Sequence, residues 1–521
     1  MDHLSSRRRP ALIRDLSRPN LRHPQLHRIQ AVEALLQRGF PYSRKLAAHS
    51  SCVNALAFSS LDGRFLASGG DDLNIHLWDL HEEQVTTPCC SFRGPRRNIF
   101  VLAFSANNRY ILSGGTDDVV LKFDATQLER PLNPQASRSP DHMFRHHDAS
   151  IRALAPHAVQ DDIFLSGSED GRIILHDGRA APSTRARAQD TIQFMAEVTG
   201  VLFHPIMEHI FATSDANGRV CLRDLRMAFG PLTQRTQEGV VHTYTTKLSR
   251  RSASYLSNPE TGGISFNRQG SRLGVTMLHY FPTIYALMDP DPVAVCSASN
   301  LPDGTPIPSG AYTYANSCST MKQGSFGGPG LDEDTLYAAG SDDFRAYVWA
   351  LPPPAELAAR RTRISHADWD AGAHAGVVAF ADRSAGPRCV PVELHTPRAR
   401  LGGHASVVNS VLVHPTMLLA ASAGVEAHIV LHGAVESLLG GMRPTAPRVR
   451  KVGEAWAEAS EEEIEEGEWE TITLFDEILQ REGNADVFDV RRWRGGDEGD
   501  SEDSGGDSEE SDSEDGRVLL R

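Results

Sequence analysis

The sequence has few of the features that mark secreted, membrane-spanning or zinc-binding proteins. It contains seven cysteines, an odd number, and no C-x-x-C pair. This argues against a disulfide framework or a zinc cluster and favours a reducing compartment. No run of 18 apolar residues occurs, and the opening MDHLSSRRRP lacks an apolar stretch after its basic residues. We therefore expect a protein of the nucleus and/or cytoplasm with no membrane partner.

Positive charge is scarce as well. The formal net charge is −15, and the acids concentrate in two segments: residues 461–470 hold seven Glu, and residues 497–515 hold eleven Asp or Glu. These 18 acids exceed the whole net charge, so the rest of the chain is near neutral. A nucleic-acid-binding protein usually carries a basic patch or stripe. We therefore expect no direct nucleic-acid partner.

Sequence motifs for cofactors and for hydrolytic chemistry are also missing. The chain has no phosphate-binding loop, no GxSxG elbow, no HExxH pair and no clustered metal ligands. We expect no cofactor, no metal ligands and no catalytic residues, and hence a protein that is not an enzyme.

What the chain does contain is a repeat, spread over residues 40–435. Its clearest unit, His49–Leu80, reads as three alternating apolar strands joined by Asp-Gly and Asp-Asp turns. The first four of seven units end at residues 79, 124, 177 and 224, which are 45, 53 and 47 residues apart. Propeller blades of the WD type take roughly 40–45 residues. The sequence therefore predicts an all-β fold, a seven-bladed WD-repeat β-propeller.

A polar set recurs with the repeat. Blades of this type often combine a His before the first strand, a Ser or Thr in the second, an Asp in the next turn and a Trp in the third. The first unit has all four, His49, Ser68, Asp72 and Trp78, and later units keep parts of the set: Asp117, His147, Asp170, Asp343, Trp349 and His404. A His/Asp/Ser set also suggests a catalytic triad. Because this set returns at the repeat spacing, we interpret it as a structural blade network.

The segments outside the repeat have distinct predictions. Residues 1–39 are predicted to be a helical segment with two short helices, and the second helix is expected to place its apolar side chains on one face: Leu26, Ile29, Val32, Leu35 and Leu36. The following strand, SRKLAAH, is expected to pair with the last blade, because such pairing removes exposed sheet edges. Insertions between blades, including Pro352–Arg398, are predicted to be mobile loops.

The C-terminal part divides by composition. Residues 436–469 are predicted to be an acidic linker and residues 470–483 an amphipathic helix. Residues 484–521 are predicted to be a disordered acidic tail.

An Asp-x-Arg ending follows the third strand of two successive blades. Blade three ends in Asp177-Gly178-Arg179, and blade four ends in Asp224-Leu225-Arg226. An Arg at the rim of a blade presents a forked donor that suits the carboxylates and carbonyls of a protein partner.

These endings resemble the WDxR endings of WD-repeat substrate receptors of cullin-4 RING ubiquitin ligases, the adaptor- and cullin-4-associated factor family. Six stretches in the same order carry the resemblance: HSSCVNALAFS with SGGDD, NIFVLAFS, ANSCSTMK, GSDDFRAYVWALP, GHASVVNSVLVHP with SAGVE, and LFDEILQRE. They cover roughly residues 30–435 and the late helix. Both endings here depart from the family pattern, since His176 and Arg223 replace the Trp.

The resemblance implies a function and a partner. Members of this family dock on the damage-specific DNA-binding protein adaptor and bring protein substrates to the ligase. The substrates of this chain are unidentified. The resemblance implies adaptor contacts for the two rim pairs and for the apolar side chains of the helix: Asp177, Arg179, Asp224, Arg226, Leu26, Ile29, Leu35 and Leu36. The alternative is a WD-repeat scaffold or chromatin-associated binding module without a ligase role, whose acidic tail mimics nucleic acid toward basic partners.

Overall fold

The computed structural model describes residues 24–126, 137–179, 185–308, 313–317, 320–329, 331, 333–372, 376–445, 449–454, 466–483 and 485–488. Eight sheets account for the strands of these residues. Seven sheets repeat one plan, in which four antiparallel strands lie in order from the innermost to the outermost. The predicted all-β WD-repeat propeller is confirmed, and we number the seven sheets as blades in chain order.

Blades one to four are formed by the first half of the chain. Blade one contains β2 (Val53–Phe58), β3 (Phe65–Gly70), β4 (Asn74–Asp79), β5 (Cys90–Arg93) and the parallel edge strand β9 (Ser137–Arg138). Blade two contains β6 (Ile99–Phe104), β7 (Tyr110–Gly115), β8 (Val120–Asp124) and β10 (His142–Phe144). Blade three contains β11 (Ile151–Pro156), β12 (Ile163–Ser168), β13 (Arg172–Asp177) and β14 (Thr191–Gln193). Blade four contains β15 (Val198–Phe203), β16 (Ile210–Asp215), β17 (Val220–Asp224) and β18 (Val240–Thr243).

Blades five to seven follow the same plan with additions at the outer edge. Blade five contains β20 (Thr261–Phe266), β21 (Arg272–Met277), β22 (Thr283–Ala286), β23 (Ala294–Val295) and the parallel edge strand β30 (Val392–Glu393). Blade six contains β24 (Gly324–Gly327), β25 (Leu336–Gly340), β26 (Ala346–Ala350) and β31 (Ala399–Leu401). Blade seven contains β32 (Val408–Val413), β33 (Leu419–Gly424), β34 (His428–Gly433), β1 (Tyr42–Ala47) and β35 (Arg443–Pro444).

The outer position of blade seven is filled from the start of the propeller. Strand β1 pairs antiparallel with β34, from Tyr42 opposite Gly433 to Ala47 opposite His428. The pairing predicted for this strand is therefore confirmed. The innermost strand of each blade also contacts that of the next blade, and β32 of blade seven contacts β2 of blade one.

The alternation of strand direction divides the connecting loops between two faces. Loops that precede a first strand, and turns between second and third strands, lie on one face, which we call the upper face. Loops between first and second strands, and between third and fourth strands, lie on the opposite, lower face. All seven blades share this arrangement, so a residue's place in the repeat determines its face.

The glycine that ends the second strand in several blades has a steric cause. A Cβ at Gly70 would lie 1.8 Å from the carbonyl oxygen of Cys52, and a Cβ at Gly115 would lie 1.8 Å from that of Asn98. The second strand ends directly beside the start of the first, and only a residue without a side chain fits there. This explains the second glycine of the Gly-Gly pairs in blades one and two.

The prediction of a mobile loop for Pro352–Arg398 is wrong for its described residues. Strands β27 (Thr362–Ile364), β28 (Val378–Phe380) and β29 (Arg388–Val390) join β19 (Leu248–Arg250) in the eighth sheet. The segment folds because Ile364, Trp369 and Ala379 form a buried cluster of their own. Trp369 lies on a helix, as expected for a Trp-Asp pair that does not end a blade strand.

Five α-helices occur in the described part of the chain: α1 (Pro24–Leu36), α2 (Leu225–Ala228), α3 (Pro354–Arg360), α4 (His366–Ala371) and α5 (Glu466–Glu482). Helix α1 is the second of the two predicted N-terminal helices, and the first lies outside the described residues. Helix α5 begins four residues earlier than predicted, inside the segment assigned to the linker. None of the five helices is long and apolar enough to cross a membrane.

Candidate functional site on the lower face

The ending of blade three forms a compact ion pair on the lower face. Asp177 is the last residue of β13, and the Arg179 side chain folds back onto it. Nε and Nη2 of Arg179 donate to the two carboxylate oxygens over 2.8 and 2.8 Å, and the Arg179 backbone N–H donates to Oδ1 over 3.0 Å. These hydrogen bonds hold the pKa of Asp177 below its usual range. The side chain of Arg179 is 59% exposed.

The ending of blade four repeats this geometry. Nε and Nη2 of Arg226 donate to the carboxylate of Asp224 over 3.1 and 2.7 Å, and the Arg226 backbone N–H donates to it over 2.9 Å. Hydrogen bonding from Arg226 lowers the pKa of Asp224. Asp224 also caps α2, and the side chain of Arg226 is 68% exposed. The structure thus builds one pair twice, in adjacent blades and on one face.

The arrangement orients each guanidinium without using all of its donors. A guanidinium has five N–H donors in a planar fork, and each pair uses two of them on its carboxylate. The remaining edge of Arg179 and of Arg226 is solvent-accessible. A fork fixed in this way suits a carboxylate or a backbone carbonyl on a partner protein, because less side-chain entropy is lost on binding.

Exposed apolar side chains lie on the same face, and the sequence analysis missed them. The loop between the first two strands of blade four exposes 64% of Ile206 and 39% of Met207, and the matching loop of blade three exposes 54% of Val159. The two loops contact each other, since the His157 side chain forms a hydrogen bond with the backbone of Glu208. Exposed apolar residues beside arginines are typical of protein-binding surfaces.

The predicted helix contributes only part of the apolar surface assigned to it. Leu36 is 5% exposed and packs into a cluster with Phe40, Leu336 and Val348, so this side chain is not available to a partner and its assignment is corrected. Ile29 and Leu35 are partly exposed. The side chain of Leu26 lies outside the described part.

The helix and the rim pairs lie on the same face. Tyr42 is opposite Gly433, the last residue of the third strand of blade seven, so the chain before β1 emerges on the lower face. The cluster around Leu36 includes Leu331 and Leu418 from lower-face loops of blades six and seven. Helix α1 therefore ends beside blades six and seven, and the rim pairs lie at blades three and four.

The polar network of blade one has the predicted connections. His49 Nδ1 lies 2.9 Å from Asp72, His49 Nε2 lies 2.8 Å from Ser68 Oγ, and Trp78 Nε1 donates to Ser68 Oγ over 3.0 Å. The Ser68 hydroxyl is fully buried. No substrate can reach it in this fold, so the set stabilises the blade.

Histidine replaces the tryptophan of this network in two blades. In blade three, Ser166 Oγ lies 2.7 Å from both His147 Nε2 and His176 Nε2, and His147 Nδ1 lies 3.0 Å from Asp170. Burial lowers the pKa of His176, so its ring stays neutral. His176 Nε2 takes the place that the indole nitrogen of Trp78 has in blade one, within hydrogen-bond distance of the serine oxygen.

Blade seven has the second such replacement. His404 Nε2 and His432 Nε2 each lie 2.7 Å from Ser422 Oγ, and His404 Nδ1 lies 2.6 Å from Glu426. Burial lowers the pKa of His432 to about 3. The sequence analysis missed His432, although its position, ten residues after the serine, matches that of Trp78 and of His176.

Blades two and four depart from the network. Blade four places Arg223 in the Trp position, where its Nε donates to Thr213 over 3.0 Å and its guanidinium lies 4.6 Å from the ring centre of Phe194. In blade two, Asp117 has no network His and accepts the backbone N–H of Arg96.

The assignment of Asp343 and Trp349 to a shared network in blade six is wrong. Asp343 accepts from Tyr347 Oη over 2.7 Å and from Arg345 over 2.9 Å. Trp349 is fully buried, and its Nε1 has no hydrogen-bond partner among the described residues. The cause is Ala339, which occupies the serine position of the second strand and leaves the indole without an acceptor.

Comparison with known families identifies the repeat. The model of the "WD domain, G-beta repeat" family matches residues 41–79, 86–124 and 138–177. Each match includes the fourth strand of the preceding blade, so the first one includes β1, which belongs to blade seven. The sequence repeat and the structural blade are therefore offset by one strand.

Known proteins are similar to this chain over different lengths. The human protein DDB1- and CUL4-associated factor 5 is 30% identical over 389 residues, which cover 74% of this chain and 33% of that protein, and its mouse counterpart gives the same values. The Schizosaccharomyces pombe WD repeat protein iqw1 is 39% identical over 143 residues, 27% of this chain and 17% of that protein. The Chaetomium thermophilum Polycomb protein EED is 36% identical over 80 residues, 15% and 14% respectively.

The first of these similarities confirms the resemblance predicted from the sequence. This chain spans about a third of the length of the human and mouse relatives.

Proposed function

This chain belongs to the WD-repeat proteins, and from that premise we propose that it is a substrate receptor of a cullin-4 RING ubiquitin ligase. The lower face docks on the DDB1 adaptor, and another surface of the propeller holds the target protein. The chain forms no covalent bond itself. It raises the effective concentration of target lysines near the ubiquitin-loaded enzyme by holding both on one scaffold.

The observation that carries this proposal is the repeated ion pair on the lower face. Arg179 and Arg226 take the same conformation in adjacent blades, and both stay exposed. Structural networks of the propeller bury their polar groups, so an exposed repeated arginine has no packing role. Exposed Val159 and Ile206 add apolar surface to the same face. The similarity to a protein named after DDB1 and CUL4 supports the choice of partner.

The rim pairs are tested by binding of the purified full-length chain to DDB1. We expect Arg179→Ala together with Arg226→Ala to weaken binding by more than about tenfold, because arginines at interface centres are frequent hot spots. The melting temperature should stay that of the wild type, since both guanidinium groups are exposed. Surface-based binding kinetics and thermal unfolding provide the two measurements.

Blade one offers a matched control. Arg64 makes a similar pair with Asp79, over 3.1 and 2.8 Å, and its side chain is 38% exposed. Arg64→Ala removes a guanidinium pair of the same kind from the lower face of blade one, outside the two adjacent blades that carry the rim pairs. Wild-type affinity of the double variant, or equal loss in Arg64→Ala, would contradict the assignment of the docking residues.

Helix α1 is tested through its partly exposed side chains. Ile29→Glu and Leu35→Glu should each weaken DDB1 binding, because they place a charge on an apolar contact. Gln30→Glu is the control, since Gln30 is exposed on the same helix. Leu36 is left unchanged, because it packs against the propeller and its substitution would disturb the fold. Unaltered binding of both Glu variants would show that α1 is not part of the interface.

A scaffold or chromatin-associated role without a ligase is the second candidate. It is favoured by the similarity to Polycomb protein EED and by the acidic segments 461–470 and 497–515, which suit basic partners. Affinity purification of the tagged full-length chain separates the candidates. Recovery of DDB1 and cullin-4 subunits, lost in the double arginine variant, supports the receptor, whereas histones recovered without any ligase subunit support the scaffold.

A further inference from the structure

The segment after the propeller lies across the upper face. We call residues 449–454, 466–483 and 485–488 together the strap. Near its start the backbone N–H of Ala427, in the upper turn of blade seven, donates to Glu468 Oε1 over 2.8 Å. At its far end, Ser257 Oγ of the segment leading into blade five donates to the Val487 carbonyl over 2.6 Å. The 17 residues of α5 span about 25 Å between these points.

The apolar face of α5 is buried in a groove between three blades. Leu479 is 7% exposed, and it packs in one cluster with four upper-face residues, Cys52, Phe344, Val407 and Val425. We call these four residues the upper groove. Phe475 and Ile478 of the helix line the same cluster. The upper groove draws on blades one, six and seven, so no single repeat forms it.

A buried ion pair holds the helix to the first part of the strap. Nη1 and Nη2 of Arg450 donate to the two carboxylate oxygens of Asp476, both over 2.7 Å, and the side chains are only 4% and 8% exposed. Nε of Arg450 donates to the Ala405 carbonyl of blade seven over 2.8 Å, and Gly453 N–H donates to Asp476 over 2.8 Å. Arg450 therefore joins helix and propeller, and we call the Arg450–Asp476 pair the latch.

The end of the strap is attached independently. Phe488 is 3% exposed and lies in the apolar cluster of blade five with Leu248 and Met277. Arg250 pairs with Asp486, and Tyr255 donates to the Phe488 carbonyl. These residues fall inside the segment predicted to be a disordered tail, and this part of that prediction is wrong.

The stretches that carry the family resemblance converge on this contact. Cys52 belongs to HSSCVNALAFS, Phe344 to GSDDFRAYVWALP, Val407 to GHASVVNSVLVHP and Val425 to SAGVE. The buried face of α5 belongs to LFDEILQRE. Stretches far apart in the chain thus meet at one place, away from the rim pairs of the lower face.

We infer that the upper groove is a docking site for amphipathic helices, and that α5 is its resident occupant. A fitting helix carries apolar side chains in the pattern of Phe475, Ile478 and Leu479, which share one helical face. It also carries a carboxylate in the place of Asp476, because Arg450 stays on the propeller through Ala405. Release of α5 frees the groove for a partner helix with this chemistry. The inference does not depend on the adaptor.

The latch provides the test in the full-length chain. Asp476→Lys places a cation beside Arg450 while leaving every groove residue unchanged. Glu477→Lys is the matched control: it makes the same change of charge on the same helix, where Glu477 pairs with Arg481 and both are exposed. Hydrogen exchange of the α5 amides is measured in both variants, and amides of β12 in blade three report whether the propeller stays folded.

A labelled peptide of residues 466–488 with the natural sequence is the probe for the free groove. We expect Asp476→Lys to speed exchange in α5 at least tenfold and to bind the peptide at least tenfold more tightly than the wild type does. Glu477→Lys should change neither, and β12 should remain protected in both.

Two results would overturn the inference. The first is that α5 stays protected in Asp476→Lys and also in Leu479→Asp, which removes its central apolar contact, because α5 is then not held by these contacts. The second is that α5 is released with β12 protected and the peptide still does not bind, because the upper groove is then no docking site.

Discussion

The two faces of this propeller use the same ion pair in opposite ways. On the lower face, Arg179 and Arg226 each bind a carboxylate two residues away and remain exposed. On the upper face, Arg450 binds Asp476 from 26 positions away, and both side chains are buried. Exposed pairs contribute little to stability, whereas breaking a buried pair leaves a charge without compensation. The lower pairs therefore present a surface to a partner, and the upper pair joins parts of the chain.

The largest effect should come from the buried contacts of the upper side. Glu426→Ala removes the acceptor of His404 Nδ1 and of the Ala405 backbone N–H, which lie 2.6 and 2.7 Å away. Leaving two buried donors without an acceptor should lower the free energy of unfolding on the order of 3 kcal/mol. Chemical denaturation at pH 7 measures this loss.

The control for that experiment is the exposed Glu393–His395 pair, 3.3 Å apart, with side chains 44% and 50% exposed. Glu393→Ala should leave the unfolding midpoint unchanged, because water solvates both groups. Equal losses of unfolding free energy in Glu426→Ala and Glu393→Ala would contradict the distinction between buried pairs that stabilise the fold and exposed pairs that do not.

An effect of intermediate size should appear as a loss of unfolding free energy at acidic pH. Burial holds the pKa of His432 at about 3, whereas an unfolded chain has a His pKa of about 6.5. The unfolded chain therefore binds the proton more readily, so the contribution of His432 is complete above pH 6.5 and is lost as the pH falls toward 3. The loss is on the order of 1 kcal/mol per pH unit in the middle of this window.

His432→Gln tests the acid effect, because Gln keeps an N–H donor for Ser422 and does not titrate. We expect the variant to lose less unfolding free energy than the wild type between pH 7 and pH 4, measured by urea denaturation at both values. Identical losses in the two proteins would show that His432 does not carry the acid sensitivity.

The smallest effects should appear on the lower face. Asp224→Ala removes the cap of α2 and should cost about 1 kcal/mol. Asp177 caps no helix among the described residues, so Asp177→Ala should leave the melting temperature unchanged. Each variant should weaken DDB1 binding less than loss of the neighbouring arginine does, since the guanidinium remains but loses its fixed orientation. Differential scanning fluorimetry and the binding assay above provide both readouts, and a large fall in stability for Asp177→Ala would contradict the comparison.

The local patterns were the part of the fold that the sequence could predict. Alternating strands, Asp-Gly turns and a recurring His–Ser–Asp–Trp set are decided within about 30 residues, as the network of His49 and Ser68 shows. The pairing of β1 with β34 was also predictable, because an unpaired edge strand is unfavourable. The rim arginines could be found because Asp-x-Arg is a local turn whose geometry is complete within three residues.

Contacts between distant segments were beyond such reasoning. Leu248–Arg250 pairs with Val378–Phe380 across more than 120 residues, and the sequence pattern of neither segment indicates its partner strand. Burial of Leu36 was missed for the same reason, since an apolar helix face fits a propeller as well as an external partner. Trp349 lacks a hydrogen-bond acceptor because the neighbouring strand has Ala339 where blade one has a serine, and the helical or strand pattern of Trp349 itself does not reveal this.

The sequence by itself determined the blades, their repeat and the two rim pairs, because each of these rests on interactions between residues close in the chain. Only the tertiary structure decided which face each segment outside the repeat covers. It placed α1 beside the lower face, which also carries the rim arginines, and it laid α5 over Cys52, Phe344, Val407 and Val425 on the upper side. The physical reason is that strand direction and long-range packing assign residues to surfaces. An amphipathic pattern indicates only that one face of a helix is buried, and not which surface buries it.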